Sequence, residues 1–311
     1  MKNSFVWRKK LGLLENTETL RIFYDPETIA IDLFQEHAWI TQWAKLRPGV
    51  LDQAVAFLKE LSPWGTPIKS VVLMDRSQVA SEKEVQTLWG SPPDSRFSLT
   101  ENGIPYLIQL HEGKHPGLFL DHAPLRQWLS HTQSGKRVLN LFSYTGSLSV
   151  AAGHSGADHV TTLDLSKSTI EWAEANWVNA KLDPEHARFI YGDVFEWLPK
   201  FIKKGEQYDT ILCDPPSFSR SKNGVFSTNK DSQRLHELIL PLLKVGGILV
   251  TSINSENYTE GAFLKDIHAA GEKFKANLKV LKRIDLPESF ETSTRDLHLR
   301  YLKGFYLLKT N

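Results

Sequence analysis

From Arg137 onward the chain alternates between short β-rich runs and helical ones, and nothing else in it restricts the fold as strongly. "RVLNLF" precedes "GSLSVAAGHSG", "HVTTLD" precedes "SKSTIEWAEANWVNAKL", and "ARFIY" precedes "DVFEWLPKFIKK". "YDTILCD" precedes "KDSQRLHELILPLLKVGG", a helix expected to run to its Gly-Gly stop, and "GILVTSI" precedes "EGAFLKDIHAAGEKF". Two more β-rich runs, "LKVLKRIDL" and "YLKGFYLLK", close the chain. Parallel neighbours must be joined by a crossover, so this alternation predicts an α/β fold with a mostly parallel sheet and helices on both faces. Ser166 is placed to cap the second helix. Ligands of such sheets bind beyond the carboxyl ends of the strands, so the residues just after each strand are the ones to examine.

Residues 18–110 have a different texture. "TLRIFY", "TIAIDLF", "HAWITQW" and "IKSVVLM" read as strands, and "SPPDSRF" as a loop. "PGVLDQAVAFLKEL" reads as a helix with Val50, Leu51, Ala54, Val55 and Leu58 on one face. The expected organisation is a small α/β domain over 1–114, a candidate RNA-binding module, followed by a second domain over 115–311. A chain of 311 residues has room for both cores. "VWRKK" at 6–10 reads as a mobile basic segment able to touch phosphates.

At the strand ends, Asp164 ends the second strand of the alternating part, Asp193 follows the third, Asp214 ends the fourth, and Asn140 lies near the end of the first. All would face one crevice. A carboxylate at the second strand end can accept both hydroxyls of a ribose, and an adenine amine is a donor suited to Asp193. The turn "FSYTGSLS" lets backbone approach a ligand at Gly146. Neither G-x-G-x-x-G nor G-x-x-x-x-G-K-[ST] occurs there, so the ligand read from these residues is an adenosine carrying something other than a diphosphate. Acids after strands also serve as helix caps with no ligand at all.

Composition narrows the classes. The single cysteine, Cys213, excludes an internal disulfide and a multi-cysteine metal site, and it suits a reducing cytoplasm. No secretory leader starts at Met1 and no run of 18 apolar residues exists, so neither secretion nor a membrane span is expected. A net charge of +1 is low for a protein that binds nucleic acid by charge alone. "HEGKHPGLFLDH" gathers His111, His115, His122 and Asp121, but Gly113, Pro116 and Gly117 forbid the regular helix that would bring the first two together on a metal; none is expected. Trp172 and Trp177 read as helix-packing residues. Arg295 either extends an RNA surface or is an exposed loop cation. The oligomeric state stays open.

Several stretches resemble the class I S-adenosylmethionine-dependent methyltransferases, and among them the bacterial 23S rRNA methyltransferases. The guanine-N7 methyltransferase half of the bifunctional large-subunit enzyme is particularly similar. The residues that carry this are "GLFLDH" at 117–122, "VLNLFSYTGS" at 138–147, "TTLDLS" at 161–166, "EWAEAN" at 171–176 and "DPPSFSRSK" at 214–222. The resemblance implies a Rossmann-like class I fold, with a seven-stranded mostly parallel sheet whose last strand is antiparallel, preceded by a small α/β domain. It implies S-adenosyl-L-methionine as cofactor and RNA, large-subunit rRNA, as partner. Phe119, Asn140, Phe142, Tyr144, Thr145 and Gly146 would line its methionine side. Asp164 with Leu165 would hold the ribose, Asp193 with Val194 the adenine, and Asp214 the edge near the reactive methyl. The PUA-type RNA module of the cytosine-C5 members and the partner half of the bifunctional enzyme have no counterpart in this sequence.

The resemblance implies guanine N7 as the acceptor, and what is missing from the sequence agrees with it. Cytosine C5 needs a cysteine to add to the ring first, and neither Ser217 nor "TSINSEN" supplies one. Cys213 sits inside an apolar strand and reads as a core residue. Adenine-N6 enzymes place an aromatic directly after two prolines, whereas Ser217 intervenes here. Guanine N7 has a free lone pair and loses no proton, so alignment alone can suffice. Asp214, Pro215 and Pro216 are the expected catalytic corner, with Ser217, Phe218, Arg220 and Lys222 the expected base and phosphate contacts. The same residues would also make a rigid loop with a buried Phe and solvated cations. The alternatives are a methyltransferase for a small molecule or a protein, and a cofactor-binding RNA or assembly factor without turnover.

Overall fold

The computed structural model describes residues 1–77, 85–113, 115–221, 224–255, 258–290 and 301–311. They form two compact units, Met1–Ala123 with Pro287–Glu291, and Pro124–Leu286 with Thr292–Asn311.

The first unit opens on a helix, α1 (Lys2–Lys10). Five strands follow in one sheet: β1 (Thr19–Asp25), β2 (Ile29–Phe34), β3 (His37–Gln42), β4 (Ser70–Asp75) and β5 (Val85–Gly90), in that spatial order. The sheet is antiparallel except for β3 and β4, and α2 (Val50–Lys59) is the crossover that this parallel pair requires. The expected apolar face of α2 buries Ala54 and Leu58 against Ile22, Ile31, Ile40 and Val71. A hairpin, β6 (Phe97–Glu101) with β7 (Ile104–Ile108), completes the unit. The basic segment at 6–10 is helical and anchored, not mobile. Arg8 is fully buried, its guanidinium donating to the carbonyl oxygens of Ser289 at 2.7 and 3.2 Å and of Ser4 at 2.8 Å. Those bonds remove Arg8 from any phosphate surface.

The second unit takes the elements α3 (Ala123–Thr132), β8 (Arg137–Leu141), α4 (Ser147–His154), β9 (His159–Asp164), α5 (Lys167–Asn179), β10 (Ala187–Tyr191), α6 (Val194–Lys203) and β11 (Tyr208–Cys213). It continues with β12 (Phe218–Ser221), β13 (Gly224–Ser227), α7 (Thr228–Ile239), β14 (Leu243–Asn254), α8 (Glu260–Lys273), β15 (Leu278–Arg283) and β16 (Leu302–Lys309). Seven strands make one sheet in the order β10-β9-β8-β11-β14-β16-β15. The first four neighbouring pairs are parallel, and β16, the last strand in sequence, runs antiparallel to both β14 and β15. This is the class I arrangement expected.

One local expectation changes. The helix α7 stops at Ile239, and a short 3₁₀ turn, Leu240–Leu242, holds Pro241, which has no N–H to extend the helical ladder. The Gly-Gly pair is therefore not a helix stop. It lies inside β14, where Gly246 at φ 82° lets the strand step out between the pairs Tyr208–Leu243 and Thr210–Ile248. Beyond β11 and the proline corner the chain makes the β12–β13 hairpin.

Candidate active site

The parallel register brings the strand ends into line. Leu141 pairs with Leu163 and with Cys213, Cys213 pairs with Thr251, and Asp164 pairs with Tyr191. Phe142, Asp164, Asp193 and Asp214 therefore all stand at one carboxyl rim of adjacent strands.

Among the described residues at this rim, the turn after β8 holds the left-handed backbone. Phe142 (φ 55°), Tyr144 (φ 50°) and Gly146 (φ 72°) are all left-handed. For a residue with a side chain that conformation costs about 1–3 kcal/mol and persists only when its surroundings enforce it. Here they do. The Ser143 N–H donates to Leu163 O at 3.1 Å and Gly146 N–H to Ser143 O at 2.9 Å, while Asn176 Nδ2 donates to Thr145 O at 2.8 Å. Tyr144 N–H donates to Asp164 Oδ2 at 2.9 Å. A Cβ on Gly146 would stand 2.7 Å from Ala173 Cβ, so what this glycine admits is the close approach of α5. Thr145 is buried. Asn140 is buried too, and its amide donates to Ser149 Oγ at 2.9 Å beneath the turn.

Asp164 has a second oxygen. Oδ1 accepts Ser166 N–H at 2.9 Å and Thr169 Oγ1–H at 3.1 Å, and Leu165 beside it is half-buried. Ser166 caps α5 as expected, accepting the Thr169 N–H. Asp193 caps α6 by accepting Phe195 N–H at 2.9 Å, and Val194 points into the core. Asp214 accepts a hydrogen bond from Ser252 Oγ. Pro215 is buried and Pro216 exposed, and the Pro216 carbonyl accepts from Thr228 Oγ1 at 2.9 Å. Ser217 donates from its hydroxyl to the Asn254 carbonyl oxygen, tying the corner to the end of β14.

Phe218 is 53% exposed, and the Arg220 guanidinium stands 5.5 Å from its ring centroid. Both lie on β12, so Phe218 is an open ring on a hairpin and not the buried side chain of a rigid loop. Lys222 and Arg295 lie outside the described residues. Phe119 belongs to the first unit, where its ring centroid is 3.9 Å from that of His115. Among the described residues no group of three or more His, Cys, Asp or Glu side chains could hold a metal ion.

Two groups beneath the rim that could act as nucleophile or base, Cys213 and His236, are shifted away from that role by burial. Cys213 is buried in the sheet core, where desolvation first and the Asp214 charge second push its thiol well above the usual range. His236 on α7 is brought down to about 4 by burial, its ring held by Ser232 O at 2.7 Å and Thr251 Oγ1 at 3.1 Å.

Sequence reasoning passed over four residues at this rim. Ser143 is buried with a hydroxyl that has no hydrogen-bond partner among the described residues. Ser252 and Asn254 hold the proline corner through the bonds above. Phe226 packs under the hairpin, its ring centroid 5.7 Å from Phe142 and 5.6 Å from Phe195. The alternation in "GVFS" was the only signal for Phe226.

Residues 18–302 match the S-adenosylmethionine-dependent methyltransferase family. The chain belongs to that family. The methyltransferase is 34% identical over 267 residues to the ribosomal RNA large subunit methyltransferase K/L of Aeromonas hydrophila, covering 81% of this chain and 35% of that one. It is 29% identical over 309 residues to the putative ribosomal RNA large subunit methyltransferase YwbD of Bacillus subtilis, covering 97% and 77%. A crystal structure of a putative methyltransferase complexed with SAH superposes with a TM-score of 0.88 at 29% identity, covering 99% of this chain and 80% of that one. The chain spans about a third of the length of the K/L relatives it matches. S-adenosylmethionine is the cofactor of this methyltransferase. No helix among the described residues is long and apolar enough to cross a membrane.

Proposed function

We propose that this methyltransferase methylates a base of RNA, guanine N7 of large-subunit rRNA, at the rim that ends in the Asp214–Pro216 corner. The observation that carries the reading is the exposed Phe218 ring, with Arg220 over it, standing directly after that corner. A stacked base and a phosphate are what such a pair suits, and base–aromatic stacking is worth about 1–3 kcal/mol. The relatives named as large-subunit rRNA methyltransferases support an RNA substrate, which would place the enzyme in the cytoplasm with its ribosomes.

The rim residues fit the cofactor. Asp164 and Asp193 offer acceptors of the kind that ribose hydroxyls and an adenine amine need, Asp214 stands two strands from Asp164 on the side of the proline corner, and the Ser143 hydroxyl is an orphaned buried group at the turn where a polar ligand atom would complete it. On this reading Asp164 holds the ribose, Asp193 and Val194 the adenine, and the Phe142–Gly146 turn with Asn140 the methionine side. S-adenosylmethionine supplies an already activated methyl group, so the protein aligns acceptor, carbon and sulfur and keeps water out. N7 carries its own lone pair and sheds no proton. A sealed Cys213 and a neutral His236 are compatible with that acceptor and leave cytosine C5 without its nucleophile.

The test is mass spectrometry of nucleosides in ribosomal RNA from cells with and without this gene, with add-back of the purified protein. Loss of 7-methylguanosine, restored on add-back, is the expected result. An unchanged RNA profile would transfer the reading to a small-molecule or protein acceptor.

A further inference from the structure

Pairing in the β12–β13 hairpin sets Phe218 opposite Ser227, Ser219 opposite Phe226, and Arg220 opposite Val225. Partners opposite each other share a face and neighbours along a strand alternate, so Phe218, Arg220 and Val225 stand on one side and Phe226 on the other. Exposure agrees: Phe218 is 53% and Val225 58% exposed, whereas Phe226 is 7%. Beneath the hairpin, the Phe226 ring meets one residue from the turn after β8 and one from the start of α6. Phe142 belongs to the left-handed turn after β8, and its ring lies nearly parallel to that of Phe226 at 29°. Phe195 is the residue whose N–H the Asp193 carboxylate holds.

A two-stranded hairpin has little stability of its own, so what it packs on decides how it stands. Its feet are fixed by the Thr228 N–H to Ser217 O bond at 3.2 Å and by the Thr228 hydroxyl on Pro216 O. Those bonds fix where the hairpin starts and ends. The direction of its outer face depends on the seat of Phe226.

Resting on the RNA reading above, we propose that Phe226 is a positioning residue that seats the hairpin on the turn after β8 and on the start of α6, the two places where that reading puts the cofactor. Cofactor and RNA then favour one another's binding. A ligand against the Phe142 turn and the Asp193 turn fixes the two rings on which Phe226 rests, and so fixes the outer face that receives the RNA. By linkage, RNA must tighten cofactor binding by the same factor.

The experiment uses the full chain, a fluorescently labelled guanine-containing single-stranded oligoribonucleotide, and SAH, which permits no turnover. Anisotropy gives the RNA Kd with and without saturating SAH, and calorimetry gives the SAH Kd alone. The wild type should bind the RNA on the order of tenfold more tightly with SAH. Phe226→Leu should bring the ratio to about one while still binding each ligand, and Phe226→Tyr should keep it. Phe218→Ala should weaken RNA binding equally in both states and leave SAH affinity unchanged. If Phe226→Leu does not fold, hydrogen exchange of the wild type decides: SAH alone should slow exchange in the peptide spanning residues 218–227, and unchanged exchange overturns the proposal. RNA binding with a wild-type ratio of one, or a ratio kept in Phe226→Leu, overturns the coupling and leaves the RNA reading standing. SAH binding with no RNA binding at all overturns both.

Discussion

Replacing Asp164 by alanine separates two roles that one carboxylate is expected to combine. In the protein alone, Oδ2 accepts the Tyr144 N–H and Oδ1 accepts Ser166 N–H and Thr169 Oγ1–H. Hydrogen bonds to a charged acceptor contribute about 1.5–3 kcal/mol each when shielded and less at a half-exposed site, where water replaces the lost partner. The Tyr144 bond matters most, because it helps hold a left-handed residue that relaxes once released. Asp164→Ala should therefore lower folding stability by about 1–3 kcal/mol, read by urea denaturation without ligand. If the carboxylate also receives the ribose hydroxyls, SAH affinity should fall by a further 1–3 kcal/mol or about 5- to 150-fold, read by calorimetry at a temperature where the variant is fully folded. Reduced stability with unchanged SAH affinity would show Asp164 to be a fastener of the turn alone, and the ribose assignment would be lost.

Gly146→Ala meets both a left-handed φ and the Ala173 Cβ at 2.7 Å, so it should lose about 1–3 kcal/mol in thermal denaturation. Adding Ala173→Gly should recover the part due to the clash. Cys213→Ala should retain methyl transfer to RNA from a gene-deleted strain, and the native wild-type thiol should resist a thiol reagent until urea is added; loss of turnover in the variant would reopen a covalent role. Burial lowers His236 to about 4 from its ordinary 6.5, so its contribution to stability is fully present above pH 6.5 and is lost as pH falls toward 4. Urea titrations should show the wild type losing on the order of 3 kcal/mol more than His236→Gln between pH 7 and pH 4, and parallel pH profiles would contradict the burial argument.

What the sequence made legible is what depends on neighbours along the chain. The period of the strands and helices, the Ser166 cap, and the acids at or just past the ends of β9, β10 and β11 can all be read from short windows, and the parallel sheet then aligns them. The elements that were missed depend on pairing across longer separations. The "VWRKK" segment reads as a free basic tail until Arg8 meets Ser289, 281 residues away. Phe226 in an apparently polar stretch becomes a core residue only because Phe142 and Phe195 come under it from other strand ends. Ser252 and Asn254 look like ordinary strand residues until the β11–β14 register sets them beside Asp214 and Ser217.

A strand-end acid need not be either a cap or a ligand group; the two roles are compatible in one carboxylate. Asp193 is a cap, Asp164 fastens a contorted turn, and Asp214 accepts the Ser252 hydroxyl. A carboxylate held by protein donors has a fixed orientation, and each of its oxygens can accept more than one hydrogen bond. Fixing it during folding spares that ordering when a ligand arrives, which is the physical content of preorganisation. On the proposed reading, the protein bonds of Asp164 and Asp193 are then a condition of their ligand roles. The consequence is asymmetric for mutagenesis: removing Ser252 or Thr169, neither assigned a ligand contact, should loosen cofactor binding through the acid it steadies, while leaving the fold's core intact.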